Sequence, residues 1–296
     1  MTVPAKLAGF AATLVLLFGA GALAGGLIDP DRDEPAAAHG ATGSEEIAHV
    51  TASTPAHSGS RPDAAHAGPA HPVRGLAVAE NGLRLVVATP DLRRDQSQTL
   101  RFRVADEHGD TVRDFDVEHT KRMHLIVARR DLTGFQHLHP RQDADGVWTT
   151  TLRMAAAGSY RVFADFAHRG EPTTLAGDLR VDGAADLLAL PAPAATAVSD
   201  GGYDVRLDAG RIRPGREADL RFTVTKDGRT VHPEPYLGAG GHLVALREGD
   251  LAFLHVHPVG DGRFAATFPT EGRYRLFLQF KDAGRVHTVA FTQEVR

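Results

Sequence analysis

The 296-residue chain holds sixteen histidines, and six of them fall into two matching sets. His124 is followed by His137 and His139, and His242 by His255 and His257, with gaps of 13 and 2 residues in both. Imidazole suits Cu(II), Zn(II) and Ni(II), whereas Cu(I) sites favour sulfur. Beyond the N-terminal apolar stretch the sulfurs are Met123 and Met154. Met123 adjoins His124, but its counterpart is Gly241, so a thioether ligand would exist in one set only. His119 stands where the second set has Leu237, and His287 where the first has Thr173. His287 is therefore either a fourth ligand of the second set or an ordinary strand residue. His108, His168 and His232 fall in or near turns and read as solvated.

A hairpin can bring each set together. In the second set HLVAL and LAFLHVHP flank the turn Arg247–Asp250. Closing a four-residue turn pairs Leu246 with Leu251, and counting outward pairs His242 with His255. Directly opposed residues share a face, and His257, two further on, points the same way. The same count pairs His124 with His137 and adds His139. A turn one residue longer or shorter would put the first histidine on the other face. Pro140 and Pro258 end the pairing, since proline donates nothing to a ladder. That face also carries Val244, Leu246, Leu251 and Phe253, or Ile126 and Phe135 in the first set, so the rings sit at the rim of an apolar surface that reads as facing the core of its own domain. A lone histidine there is more often a satisfied core residue than a ligand. Three together each need partners for two nitrogens, and a shared cation supplies one to all of them. A hydrogen-bonded structural cluster is the competing reading.

The elements around the hairpins repeat. LRFRVADEHGDTV (100–112) matches LRFTVTKDGRTV (220–231), and AGSYRVFADF (157–166) matches EGRYRLFLQF (271–280). A period of 118–120 residues is too long for a solenoid unit and marks a duplicated domain. Short period-2 runs such as LRLVVAT, YDVRL and DLRFTV, punctuated by DEHGD, TKDG and GDGR, predict about seven strands per copy and no helix. The predicted fold is all-β: two tandem immunoglobulin-like β-sandwich domains, residues 73–182 and 203–296, joined by a linker over 183–202. Gly158-Ser159-Tyr160 and Gly272-Arg273-Tyr274 open equivalent strands and match the tyrosine corner of such sandwiches.

Ahead of the repeats, residues 7–28 are 22 uncharged, mostly apolar positions, enough to span a bilayer as a helix. Lys6 precedes them and Asp29, Asp31, Asp33 and Glu34 follow, which places the N-terminus inside and the rest outside. The segment 1–28 is either a single-pass anchor or a signal peptide cut near Ala22-Leu23-Ala24, releasing a secreted protein. Residues 29–72, rich in Ala, Pro, Gly and Ser, predict a disordered tether. Its His39, His49, His57, His66 and His71 read either as a loose metal-scavenging arm or as solvated linker residues. A net charge of −4, with 33 basic and 37 acidic residues, gives no case for nucleic acid. With no cysteine there is no disulfide, thiolate ligand or lipid-anchoring cysteine.

The segment KRMHLIVARRDLTGFQHLHP and its echo GHLVALREGDLAFLHVHP resemble a pattern of bacterial exported proteins. There a histidine, a D-L turn and an H-x-H-P end occur in small Ig-like domains of the YtkA-like and FixH-like group. The resemblance implies an extracytoplasmic role in copper or heavy-metal handling. The expected function is binding of copper(II) or zinc at one three-histidine site per domain, for buffering, sensing or delivery to an exported partner protein. The alternative is a non-catalytic cell-surface interaction or scaffold protein with structural histidines. An enzyme is not expected. No nucleophile motif can be placed, and the clearest general acid or base, Asp165, is Gln279 in the other copy.

Overall fold

The computed structural model describes residues 73–260 and 262–296. The expected leader over 1–28 and tether over 29–72 lie outside the described residues. Both repeats belong to one compact unit and are all-β, with four sheets in total. In the first copy one sheet runs β1 (Ala79–Glu80), β2 (Leu83–Val87), β4 (Ser97–Ala105), β8 (Trp148–Arg153), β7 (Arg141–Gln142). Its second sheet runs β3 (Asp91–Leu92), β10 (Glu171–Val181), β9 (Gly158–His168), β5 (His124–Arg129), β6 (Gln136–Leu138). In the second copy the first sheet runs β11 (Thr196–Val198), β12 (Asp204–Asp208), β13 (Glu217–Lys226), β18 (Arg263–Thr267), β17 (His257–Gly260), with β14 (Arg229–Val231) beside β13. Its other sheet runs β16 (Phe253–His255), β15 (His242–Arg247), β19 (Gly272–Asp282), β20 (Arg285–Val295).

The segment read as a linker over 183–202 is partly structural. Thr196–Val198 pairs with Asp204–Arg206, so the second copy begins before residue 203. Upstream, the Leu188 amide donates to Asp131 and Leu190 packs against the shared apolar cluster. The tyrosine corners form as expected: the Tyr160 hydroxyl donates to the Ala156 carbonyl at 2.8 Å, and that of Tyr274 to Thr270 at 3.1 Å.

Burial follows strand period. Along β13 buried and exposed residues alternate, which is what a sheet with one wet face requires. In contrast, every residue of β5 is buried, and the four central residues of β15 are too. Leu125 and Val127 point into the first copy's own core, with Phe102 and Trp148. Ile126 and Ala128 point the other way, into a third cluster shared with Val244, Leu246, Phe253 and Phe277 of the second copy. The histidine-bearing face is therefore an interface between the copies rather than the inside of one sandwich.

That interface is isologous in form. Phe135 stacks on Phe277 at 4.1 Å between centroids, and Phe163 meets Phe253 at 5.5 Å. Phe135 and Phe253 are equivalent in the repeat, as are Phe163 and Phe277, so the two contacts exchange roles as across a two-fold axis. Gly75, at φ 69°, lets the chain cross the seam: a Cβ there would lie 2.6 Å from the Cβ of Phe253.

Removing a ring from this seam leaves a cavity in a core common to both copies. Phe163→Ala is expected to cost about 3–5 kcal/mol while preserving one cooperative transition in urea. Two separate transitions, with only the first shifted, would show that the copies fold independently.

Candidate metal centre

The hairpins close two residues later than a four-residue turn allows. Ile126 opposes His137 and Val244 opposes His255, where the sequence count set His124 against His137 and His242 against His255. The cause lies in the D-L pair. Leu132 and Leu251 adopt positive φ, 64° and 60°, and their side chains are buried in the shared cluster. Beside them the Arg129 guanidinium pairs with the Asp131 carboxylate, and Arg247 with Asp250 at 2.5 Å, which holds the wider turns. A slip of two residues preserves the face, so the first histidine of each hairpin still points to the seam.

Among the described residues, what meets at the seam draws on both copies, whereas the expectation was one site within each. The described group is a single composite of His124, His137 and His242, whose candidate ligand nitrogens all lie within 4.8 Å of one another. His242 comes from the second copy. The three rings form a near-equilateral triangle, with centroids 5.3, 5.2 and 5.3 Å apart for the pairs 124–137, 137–242 and 124–242. His124 and His242 are repeat equivalents, and their rings lie nearly parallel, at 19°.

Other predicted residues divide around this triangle. His119 joins it, 5.1 Å from the ring of His242. His139 lies 4.8 Å from His137 and 5.1 Å from His124, and its Nε2 is buried with no hydrogen-bond partner among the described residues. Met123 points to the opposite face of the strand, into the first copy's core, so it is not beside the triangle. His287 is across from Phe280. It packs on Tyr203 and Phe280, 3.5 Å from Asp200, on the face away from Gln279, and so is not with the group. His255 and His257 have described backbones at β16 and β17, but their side chains lie outside the described residues.

The surrounding bonds decide which nitrogens face inward. His137 Nδ1 is 2.7 Å from Gln279 Oε1, and the Gln279 amide nitrogen in turn donates to Thr288. An amide oxygen only accepts, so Nδ1 carries the proton and neutral His137 presents a lone pair at Nε2. That Nε2 is 3.1 Å from His124 Nδ1, while His124 Nε2 faces the Glu118 carbonyl at 3.2 Å. A neutral imidazole has one N–H and cannot donate to both acceptors. If it donates to Glu118, two lone pairs meet at the centre. Outer partners that hold protons on the far nitrogens and leave the near ones to grip a cation are the pattern of histidine metal sites.

Burial keeps His137 and His139 neutral. Burial, reinforced by His124 and His139, pushes His137 down to about 3. Burial, His124 and Lys121 push His139 down to about 4. Asp165, itself buried, is opposite His124 in the ladder, accepts from the Thr174 hydroxyl at 2.6 Å, and lines the same space. Among the lining side chains His119, His124, His137, Asp165 and His242 the cavity is about 10 Å³, room for one ion or water and not for an organic ligand. Sequence reasoning missed Gln279 as the partner of His137, because that contact crosses between copies. The doubly apolar run HLIVAR was the available signal that this face is covered.

Among solved structures the chain is similar to Salmonella alpha-2-macroglobulin, at 14% identity and TM-score 0.28, over 76% of this chain and 15% of that one. It is also similar to the Escherichia coli adhesin FdeC, at 16% and 0.26, over 74% and 66%, and to InvD of Yersinia pseudotuberculosis, at 14% and 0.25, over 73% and 58%. The chain spans less than two thirds of each of these chains, and likeness at this level assigns no role. No curated protein is significantly similar to it. The comparisons give no support to the expected YtkA-like and FixH-like resemblance. One family model matches twice, over residues 78–183 and 196–296, once for each copy, and the chain accordingly belongs to the family Domain of unknown function (DUF8832).

Proposed function

We propose that this is an extracytoplasmic metal-binding protein. Two immunoglobulin-like copies close around a single three-histidine site for copper(II) or zinc. The observation that carries the reading is the convergence of His124, His137 and His242 within 4.8 Å, with the far nitrogens of His124 and His137 already engaged. Three imidazoles are a borderline donor set that suits Cu(II) and Zn(II). His119, His139 and Asp165 stand close enough to complete or balance the coordination. The cramped cavity supports binding without catalysis, since an open position for substrate has no room. The 22 uncharged, mostly apolar positions over 7–28, with Lys6 before them and acidic residues after, support export.

A structural cluster is favoured by one observation, the 3.1 Å contact between His124 and His137, which a shared proton would also explain. On that reading the chain is a surface scaffold or interaction protein. Equilibrium dialysis of residues 73–296 against Cu(II) or Zn(II) at neutral pH separates the two. The metal reading expects one ion per chain, lost in His242→Phe as fully as in His124→Phe although the two lie in different copies. No bound metal, or two ions of which His242→Phe removes one, would overturn it.

Acid supplies a second measurement on the metal-free protein. His137 and His139 are neutral when folded and ordinary histidines, near 6.5, when unfolded. The unfolded chain then binds more protons below pH 6.5, so stability falls as pH drops and continues to fall until His137 itself titrates near 3. Urea unfolding at pH 7 and pH 4.5 is expected to show a clear loss at the lower pH. Equal stability would mean that the rings are open to water.

A further inference from the structure

The two copies pack their cores differently at one end. In the first, Phe115, Met123 and Trp148 are all buried in the sandwich interior. Phe115 meets Trp148 and Phe166 edge-on, both at 5.2 Å. Their equivalents in the second copy are small. Asp116 bonds back to Ala167 and Glu234 to Lys281 in the same way, which sets Pro233 where Phe115 stands. Met123 and Gly241 each precede the first histidine of their hairpin. Trp148 opposes Phe102 in the ladder, and Gly262 opposes the equivalent Phe222, whose amide donates to the Gly262 carbonyl at 2.7 Å. Two exchanges run the other way, Ala164 to Leu278 and Thr150 to Phe264, and restore less than half of the lost side-chain bulk.

A pocket of about 450 Å³ occupies that end of the second copy, within the range of small-molecule sites. Its floor is Phe222, Phe264, Leu278 and Phe280, and Pro233 and Gly262 line it where the first copy's rings would stand. Arg221, His232 and Arg263 lie at its exposed mouth. Arg263 is engaged by Asp219 at 2.8 Å, and no described lining residue is acidic.

We propose that this pocket binds an aromatic carboxylate of one or two fused rings. The rings replace the phenyl and indole groups that fill the first copy, against aromatic walls that favour offset or edge contacts. The carboxylate faces Arg221 and His232 at the mouth, where a guanidinium fork suits a planar anion. The site is separate from the histidine triangle, which lies on the other face of the β15–β19 sheet, and its occupancy needs no metal.

Isothermal titration of the full-length chain with indole-3-propanoate tests this, beside the neutral amide of the same compound. The expected result is saturable one-to-one binding, weakened about tenfold or more by Pro233→Phe, which restores the first copy's residue, and by Val231→Trp. Arg221→Gln, an exposed change that leaves the core intact, is expected to weaken the acid several-fold and leave the amide unaffected. Absence of saturable binding at millimolar concentration would overturn the proposal. So would binding that the filled variants leave unchanged, or an amide that binds as tightly as the acid.

Discussion

A strand with no wet face must be covered on both sides. In β5 every side chain is buried, and only one layer of neighbours comes from its own sandwich. The other layer has to come from β15, β16 and β19, which face the same constraint in return. Ile126, Val244, Phe163 and Phe277 are withdrawn from water only while the two copies are stacked. Their burial, at roughly 2 kcal/mol or more for each large side chain, is what sets the histidines of different copies against one another.

Stacking equivalent faces has a geometric consequence. Residues near the two-fold axis meet their own counterparts, whereas those away from it meet different residues. His124 and His242 belong to the first kind, with rings 5.3 Å apart; the exchanged phenylalanine pairs belong to the second. Among the described residues, the duplicated histidine motif thus contributes from both copies to one centre. Once the centre lies on the axis, the copies are free to specialise around it. The residue across from His124 is Asp165, and the one across from His242 is Gln279. Asp165 sets a carboxyl group on the cavity wall, while the Gln279 amide fixes the tautomer of His137.

Much of this was legible in the residues. Period-2 runs gave the strands, the internal repeat gave the two copies, and the G-x-Y pairs gave the tyrosine corners. The common gap of 13 residues grouped each first histidine with the right apolar neighbours, but that face is the seam between the copies and not the core of a sandwich. What the residues hid was anything decided by a second surface. The turn length depended on Leu132 and Leu251 being drawn to positive φ by burial in the shared cluster. For His287 the sequence left a fourth ligand and an ordinary strand residue both open, and its partner across the ladder is Phe280, which faces the other way from Gln279. The segment 183–202 reads as a linker by composition, yet Leu188 and Leu190 are anchored to the first hairpin and the shared core.

Metal capture at the seam requires that lone pairs from both copies converge on one point in a space that excludes bulk water. Anomalous diffraction from a crystal soaked in Zn(II), collected on both sides of the metal's absorption edge, reads this directly. One strong peak per chain is expected between His124, His137 and His242, about 2.0–2.1 Å from each coordinating nitrogen. A peak held by histidines of a single copy, or density only at surface carboxylates, would contradict it.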